Sequence, residues 1–193
     1  MGKKFKKSKP LSIVGSLPAV GHYTVQRSSE VMEVSARLKS LRKQGVIPLL
    51  YVTGSAGVGK SEIITQYVKL FTESCYKWFG LKSVQPVVLF INGKNKTTFD
   101  LSLREVAVSL GLKETDFESE QPLLCQVHSR LVESKLPWLI VVDGLDDSLV
   151  SSFSSVVASL PQSSDWKSPG GAVVVTTRCT QLSQENQLMV KER

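Results

Sequence analysis

Residues 54–61 read Gly54-Ser55-Ala56-Gly57-Val58-Gly59-Lys60-Ser61, which is the complete G-x-x-x-x-G-K-[ST] pattern of a phosphate-binding loop. The pattern follows the apolar stretch 48–53, which has strand character, and precedes 62–68, where apolar residues recur at helical spacing. A strand before the loop and a helix after it are the setting in which the pattern is diagnostic. The alternative, a glycine-rich turn that matches by chance, does not explain these flanks. The motif therefore indicates a nucleoside triphosphate or diphosphate as ligand.

Each residue type in the loop has a physical reason. Glycines 54, 57 and 59 lack a Cβ, so the backbone can adopt positive φ and approach phosphates closely. The inward-turned amides then form an anion nest, to which the following helix adds its positive N-terminus. Lys60 is expected to reach the β- and γ-phosphates, and the Ser61 hydroxyl is expected to bind Mg²⁺. The predicted nucleotide-binding residues here are Gly54, Ser55, Ala56, Gly57, Val58, Gly59, Lys60, Ser61 and Glu62.

Composition describes an ordinary globular protein with a basic N-terminus. Hydrophobic residues make up 41% and charged residues 21% of the 193 residues, and no apolar run approaches the ~20 residues that cross a bilayer. The net charge is +7, and five of the positive charges are lysines within residues 3–9. We therefore expect a basic, disordered tail on a nearly neutral domain, with no specific nucleic-acid surface. A nuclear-import signal or a contact with an anionic membrane surface are the alternatives for this tail.

The cysteines and histidines do not form a recognisable site. Cys75, Cys125 and Cys179 are isolated and odd in number, and His22 and His128 are the only histidines. Neither a zinc site nor a disulfide framework fits this pattern, so we expect reduced thiols in a cytoplasmic protein. His128 falls on the apolar side of a predicted helix, which favours a packing residue over a catalytic base.

Strands alternate with helices along the chain. The apolar runs predict strands at 48–53, 86–92, 138–143 and 172–177, and helical spacing predicts helices at 28–43, 61–73, 100–110, 121–133 and 149–160. Asp100 is the predicted cap of the third helix, and the polar segment 181–193 is expected to be a helix fragment. This order predicts an α/β domain of three layers with a mainly parallel sheet, in which ligands bind beyond the carboxyl ends of the strands.

An acidic cluster follows one of these strands. Asp143 comes after five apolar residues and before Gly144-Leu145-Asp146-Asp147. A carboxylate at the end of a buried strand is costly unless a cation or donors satisfy it, and beside a phosphate loop the natural partner is Mg²⁺. We predict that Asp143 holds the metal together with Ser61, and that Asp146 or Asp147 polarises the attacking water. An acidic turn that caps the next helix is the alternative for Asp146 and Asp147.

A second polar strand end follows at 176–178. Thr177 is a predicted nucleotide contact, and the guanidinium of Arg178 is predicted to lie near the γ-phosphate. A charge-assisted contact of that kind would distinguish triphosphate from diphosphate. Asp143, Asp146, Asp147 and Arg178 are thus the candidate catalytic residues.

The chain resembles the STAND class of P-loop ATPases, the nucleotide switches found in NB-ARC and NACHT proteins. The resemblance covers about residues 20–180. The stretch 20–30, Val-Gly-His-Tyr-Thr-Val-Gln-Arg-Ser-Ser-Glu, looks like a divergent form of the FVGR-x-x-E loop that lies over the adenine in that class. The stretch 138–147 resembles the Walker B strand, and 170–178 resembles the NB-ARC sensor block ending in Thr-Thr-Arg. Residues 143–147 are closer to the NACHT form D-G-h-D-E, but Asp147 is one methylene shorter than Glu, so we expect slow hydrolysis.

The resemblance also implies a fold, a function and partners. It implies a P-loop NTPase domain at residues 20–193, after the tail at 1–19, that binds ADP or ATP with Mg²⁺ as the switch of an innate-immunity or apoptosis signalling protein. Protein partners or self-assembly are expected. Proteins of this class continue into a fifth strand and into helical and winged-helix regions, which this sequence lacks, so we expect a fragment or a protein completed by a partner. Without a fifth strand, the apolar edge at 49–52 would lie open.

Two other functions compete with the switch. An AAA+-like ATPase would turn over steadily and lose activity on Asp143→Asn or Asp147→Asn. A scaffold that has lost nucleotide binding would give no response to ADP or ATP. A nucleotide kinase is a weaker alternative, because no lid with a second set of substrate-binding arginines is evident.

Overall fold

A computed structural model describes residues 13–15, 25–78, 85–118, 121–161 and 171–191. Within them, the strands are β1 (Ile13–Val14), β2 (Leu49–Thr53), β3 (Val87–Asn92), β4 (Trp138–Leu145), β5 (Ala172–Thr177) and β6 (Gln187–Met189). These six strands are parallel and form one sheet in the order β1-β3-β4-β5-β2-β6. The helices are α1 (Ser28–Arg42), α2 (Lys60–Trp78), α3 (Lys96–Ser109), α4 (Leu123–Ser134) and α5 (Asp147–Ser159), with 3₁₀ turns at Glu114–Glu118 and Gln184–Asn186.

Two hydrophobic clusters lie on opposite faces of the sheet. On one face, α1 and α2 pack against Leu50, Val52 and Leu139. On the other face, α3, α4 and α5 pack against Tyr51, Ile140 and Val142. Successive side chains of a strand point to opposite faces, so strands covered on both sides need the continuous apolar runs seen in the sequence. The predicted three-layer α/β fold is confirmed.

The segment after β5 differs from its prediction. Residues 187–189 do not form a helix fragment: they pair in parallel with Tyr51–Thr53 as strand β6. The amide of Val190 extends the ladder by donating to the carbonyl of Thr53 at 2.8 Å. Leu188 and Val190 are buried under the face that carries α1 and α2. The expected open edge at 49–52 is therefore wrong, because the outer side of β2 has a strand partner.

Three smaller predictions are also corrected. Ile13 and Val14 pair with Val88 and Leu89 of β3, although they fall inside the predicted disordered tail. The third helix starts at Lys96 and is capped by Asn95 in a capping box with Thr98, so Asp100 is not the cap. A helix that began at Asp100 would have left the first turn out. Helix α2 runs to Trp78, beyond the predicted end near Glu73.

The parallel sheet places the chemistry of the chain at one edge. In a sheet of parallel strands the carboxyl ends lie side by side, and the chain leaves β2, β4 and β5 there. The phosphate-loop pattern follows β2, Asp143 lies near the end of β4, and Thr176 and Thr177 end β5. These three strand ends form the candidate site.

Candidate functional site

The loop between β2 and α2 has the backbone that its glycines predicted. Gly54, Gly57 and Gly59 have φ values of +145°, +79° and +91°. Two of them are also closely approached: a Cβ at Gly54 would lie 2.6 Å from the carbonyl oxygen of Val190, and one at Gly59 would lie 3.3 Å from the guanidinium of Arg27. A side chain at either position would meet both strain and a neighbour. The conformation of the loop therefore requires glycine at these two positions.

The ammonium of Lys60 lies over this loop. Its Nζ donates to the carbonyl oxygens of Gly54 at 2.8 Å and Ser55 at 2.7 Å. Partial burial and then the positive charge of Arg178 lower the pKa of Lys60, whereas the negative charge of Asp143 raises it. Two residues from other strand ends thus act on the same ammonium, and the lysine and the acid lie on the same side of the sheet.

Ser61 and Asp143 are in direct contact. The Ser61 hydroxyl donates to Oδ1 of Asp143 at 2.7 Å, across 82 residues of sequence. The hydroxyl of Thr176 donates to the same oxygen at 2.6 Å. Ser61 and Asp143 are the predicted metal ligands, and the fold brings them together.

The donor set fits a magnesium ion held jointly with a nucleotide. Among the described residues, no group of three or more His, Cys, Asp or Glu side chains could hold a metal. One carboxylate and one hydroxyl are a small set, but Mg²⁺ binds proteins through one or two such oxygens and keeps water and substrate phosphates for the rest. Asp143 and Ser61 would hold the ion, and the ion would neutralise phosphate charge.

Asp146 and Asp147 have different surroundings in the structure. Asp146 is the N-cap of α5 and accepts from the amide of Ser148 at 3.0 Å. The hydrogen bonds from Ser148, the side-chain one first, lower the pKa of this exposed carboxyl. Asp146 therefore has the role given by the alternative prediction, which is to cap the helix that follows. Asp147 is exposed in the first turn of the helix, and its Oδ1 lies 3.3 Å from the hydroxyl of Thr177.

Thr177 and Arg178 differ in exposure. Thr177 is buried, and its hydroxyl donates to the carbonyl of Leu145 at 2.8 Å, so the protein itself satisfies this group. Arg178 is exposed, and its charge lowers the pKa of both Lys60 and Asp146. The structure thus brings Arg178 to the edge of the site, whereas Thr177 is buried within the protein.

The remaining predicted nucleotide-binding residues line the loop or the first turn of α2. Ser55 and Ala56 are exposed at the tip of the loop, and Val58 is buried beneath it. Oε1 of Glu62 accepts a hydrogen bond from the side-chain Nε2 of Gln66 at 2.8 Å. Glu62 therefore lies in a network that reaches the segment before α1.

Sequence reasoning missed this network, which connects the segment before α1 to the loop and to α2. Arg27 donates to the carbonyl of Val58 at 3.0 Å and pairs with Glu30 at 3.1 Å. Gln66 accepts from the amide of Arg27 at 3.0 Å and donates to the carbonyl of Val25 at 2.9 Å. The R-x-x-E spacing of Arg27 and Glu30 belongs to the stretch 20–30 that resembles an adenine-covering loop, of which residues 20–24 lie outside the described residues. The contact of Arg27 with the phosphate loop spans 31 residues and has no local signature.

One cavity lies away from this site. It has a volume of about 370 Å³ and opens between α3, α4 and α5, on the face opposite α1 and α2. Phe99, Leu103, Phe153 and Val156 give it apolar walls, and Lys96 and Arg104 are polar members of its lining. Of the residues that line the cavity, Leu145 is the nearest in sequence to Asp143. The loop at 54–61 contributes nothing to this cavity.

Comparison with known proteins places the chain in a family and a fold. The family described as AAA domain matches residues 47–175. No curated protein matches the chain. Among the part of the chain that the structure describes, no helix is both long and apolar enough to span a membrane.

Solved structures of similar fold include proteins of Pyrobaculum aerophilum and Aeropyrum pernix. The Cdc6p structure from Pyrobaculum aerophilum has a TM-score of 0.57 at 20% identity, over 91% of this chain and 48% of that one. The Aeropyrum pernix ORC2 protein in ADPNP–ADP complexes has a TM-score of 0.59 at 11% identity, over 89% and 50%. The Aeropyrum pernix ORC1 protein in complex with DNA has a TM-score of 0.51 at 16% identity, over 88% and 46%. The chain thus spans about half the length of these structures, and at such identities the likeness concerns the fold.

Proposed function

Since this chain belongs to the AAA domain family, we propose that it binds ATP and ADP with Mg²⁺ at residues 54–61 and hydrolyses ATP as an AAA-type ATPase domain. The observation that carries the proposal is the 2.7 Å hydrogen bond from Ser61 to Asp143. It joins the phosphate-loop pattern to the acidic strand end, next to the ammonium of Lys60. A glycine-rich turn without a ligand would have no need of that junction.

Each group has a distinct task in this proposal. The loop amides and the N-terminus of α2 bind the phosphates, and Lys60 supplies a point charge to them. Ser61 and Asp143 hold the metal, whose charge stabilises the transferring phosphoryl group when it is bound. Asp147 is our candidate for orienting the attacking water, because it is exposed beside Thr177 and its neighbour Asp146 caps α5.

Titration calorimetry with ADP and a non-hydrolysable ATP analogue tests the binding step. We expect Lys60→Ala to weaken the affinity at least about tenfold, because a charge-assisted hydrogen bond contributes about 1.5–3 kcal/mol. Lys69→Ala is the matched control, since Lys69 is exposed on the same helix and should leave the affinity unchanged. Equal affinities of Lys60→Ala and the wild type would contradict the proposal. A wild-type protein that binds neither nucleotide would favour the scaffold alternative.

The slow switch of the NB-ARC type is the second candidate. The observation that favours it is the exposed guanidinium of Arg178, whose charge acts on Lys60 from the end of β5. Such a group suits discrimination between triphosphate and diphosphate. A switch should retain ADP through purification and turn over far less than once a minute, whereas an ATPase should cycle and lose activity on Asp143→Asn. Mass spectrometry of retained nucleotide together with a turnover assay separates the two candidates.

The wider expectations remain predictions. A signalling role, protein partners or self-assembly, and a cytoplasmic location rest on the resemblance and on the isolated cysteines. The Aeropyrum pernix ORC1 protein is known in complex with DNA, but the five lysines near the N-terminus are the main excess charge of this chain. We therefore do not propose a specific nucleic-acid partner.

A further inference from the structure

A register shift separates the last residues of β4 from β5. Val142 pairs with Val175, but the next pair is Leu145 with Thr177. Asp143 and Gly144 therefore stand against the single residue Thr176, which is the arrangement of a β-bulge. Gly144 has a φ of +72°, which a residue with a side chain rarely adopts. The bulge takes the amide of Gly144 out of the regular ladder.

The hydroxyl of Thr176 occupies this bulge. Its Oγ1 accepts from the amide of Gly144 at 2.7 Å and donates to Oδ1 of Asp143 at 2.6 Å. The direction is fixed, because an amide can only donate and the single hydroxyl proton is then available to the carboxylate. Thr176 is 1% exposed, so water cannot easily take over either bond.

The two hydroxyls hold one oxygen of Asp143 from different elements. Ser61 donates to Oδ1 from the start of α2, and Thr176 donates to it from β5. Within the described residues, no hydrogen bond is found to Oδ2. The bond from Thr176 thus stops the carboxylate from rotating and leaves the second oxygen available.

We propose that Thr176 is a positioning residue that fixes the Asp143 carboxylate for the Mg²⁺–nucleotide complex. The inference rests on the proposed function and adds a residue and a task to it. An isosteric residue without a hydroxyl would leave the Gly144 amide unsatisfied and the carboxylate free to turn. Partners of this kind, which orient a metal ligand without touching the metal, typically change metal affinity by about 10- to 100-fold.

The test compares ADP binding in saturating Mg²⁺ with ADP binding in EDTA, by titration calorimetry, for each variant. The dissociation constant in EDTA divided by that in Mg²⁺ measures how much the metal strengthens ADP binding. We expect Thr176→Val to lower this ratio by about tenfold or more, with little change in EDTA, and Thr176→Ser to restore it. Thr72→Val is the control, because the hydroxyl of Thr72 donates within α2 to the carbonyl of Val68.

The possible outcomes separate this inference from the proposed function. A Thr176→Val protein with the wild-type ratio, or with equal losses in Mg²⁺ and in EDTA, overturns the positioning role. Wild-type protein that binds ADP equally with and without Mg²⁺ also overturns it and leaves nucleotide binding intact. Wild-type protein that binds no ADP overturns both proposals. Should circular dichroism show that Thr176→Val does not fold, Thr176→Ala replaces it, because it places no second methyl in the bulge.

Discussion

At the scale of single residues, Arg27 connects the start of α1 to the phosphate loop. Its side chain is 13% exposed, and it divides its donors between Glu30 and the carbonyl of Val58. The carbonyl and the amide of a trans peptide point in opposite directions. Because Arg27 binds the carbonyl of Val58, the amide of Gly59 in the same peptide points away from the guanidinium.

We expect Arg27→Met to weaken ADP binding about tenfold and to lower the free energy of unfolding. The substitution keeps much of the apolar stem but removes hydrogen bonds from a charged donor, each of which contributes about 1.5–3 kcal/mol. Calorimetry and urea unfolding measure the two effects. Arg130→Met is the control, since its pair with Glu133 is exposed and should contribute about 0–1 kcal/mol. If both variants behave alike, Arg27 does not brace the loop.

The residues that sequence could identify are those whose local pattern carries the chemistry. Lys60 and Ser61 follow three glycines in a fixed spacing, and Asp143 is an acid at the end of an apolar run. Arg27 stands in an R-x-x-E spacing with Glu30, but no local pattern points from Arg27 or Thr176 to its partner at the site. Their partners lie 31 and 33 residues away, and the role of Thr176 also depends on a one-residue bulge that changes no residue type.

At the scale of elements, β6 shows how packing overrides a weak local signal. Residues 181–193 are mostly polar, and a strand of three residues is too short for its alternation to be read. The structure forms this strand because β2 offers a row of backbone groups and because Leu188 and Val190 enter the core. The longer strands were readable because they are covered on both faces and are therefore apolar throughout.

We expect Leu188→Ala to lower the free energy of unfolding by about 2–5 kcal/mol, because a buried leucine leaves a cavity when truncated. Leu188 is 3% exposed, whereas its neighbour Met189 is 54% exposed. Met189→Ala is therefore a matched control, with an expected change within about 0.5 kcal/mol. Urea unfolding of both variants tests the pairing of β6 with β2. Equal, small effects would show that residues 187–189 do not pack there.

At the scale of the whole molecule, stability should depend on pH through His128. The imidazole is 2% exposed, lies edge-on to Trp138 at 5.3 Å between ring centroids, and has no hydrogen bond at Nδ1 among the described residues. Burial lowers the pKa of His128 below its ordinary value of 6.5. Below about pH 6.5 the unfolded chain takes up a proton that the folded chain resists.

The free energy of unfolding should therefore fall as the pH drops from about 6.5 toward the folded-state pKa, and it should be unaffected by this group at higher pH. His128→Phe, which keeps an aromatic ring against Trp138, should reduce that fall. Urea unfolding between pH 5 and pH 8 measures the slope. Parallel curves for the wild type and His128→Phe would exclude His128 as the source.

The parallel sheet also bears on the order in which the molecule assembles. Leu49 of β2 pairs with Val173, and Tyr51 pairs with Gln187, so both neighbours of this strand come from the last part of the described chain. Contacts between residues so far apart in sequence form slowly, because a long loop must close first. On a ribosome, the strand that carries the phosphate loop would wait without partners until nearly all of residues 1–191 had emerged. In a nascent chain, that apolar strand could pair elsewhere until its partner strands are synthesised, unless a chaperone covers it.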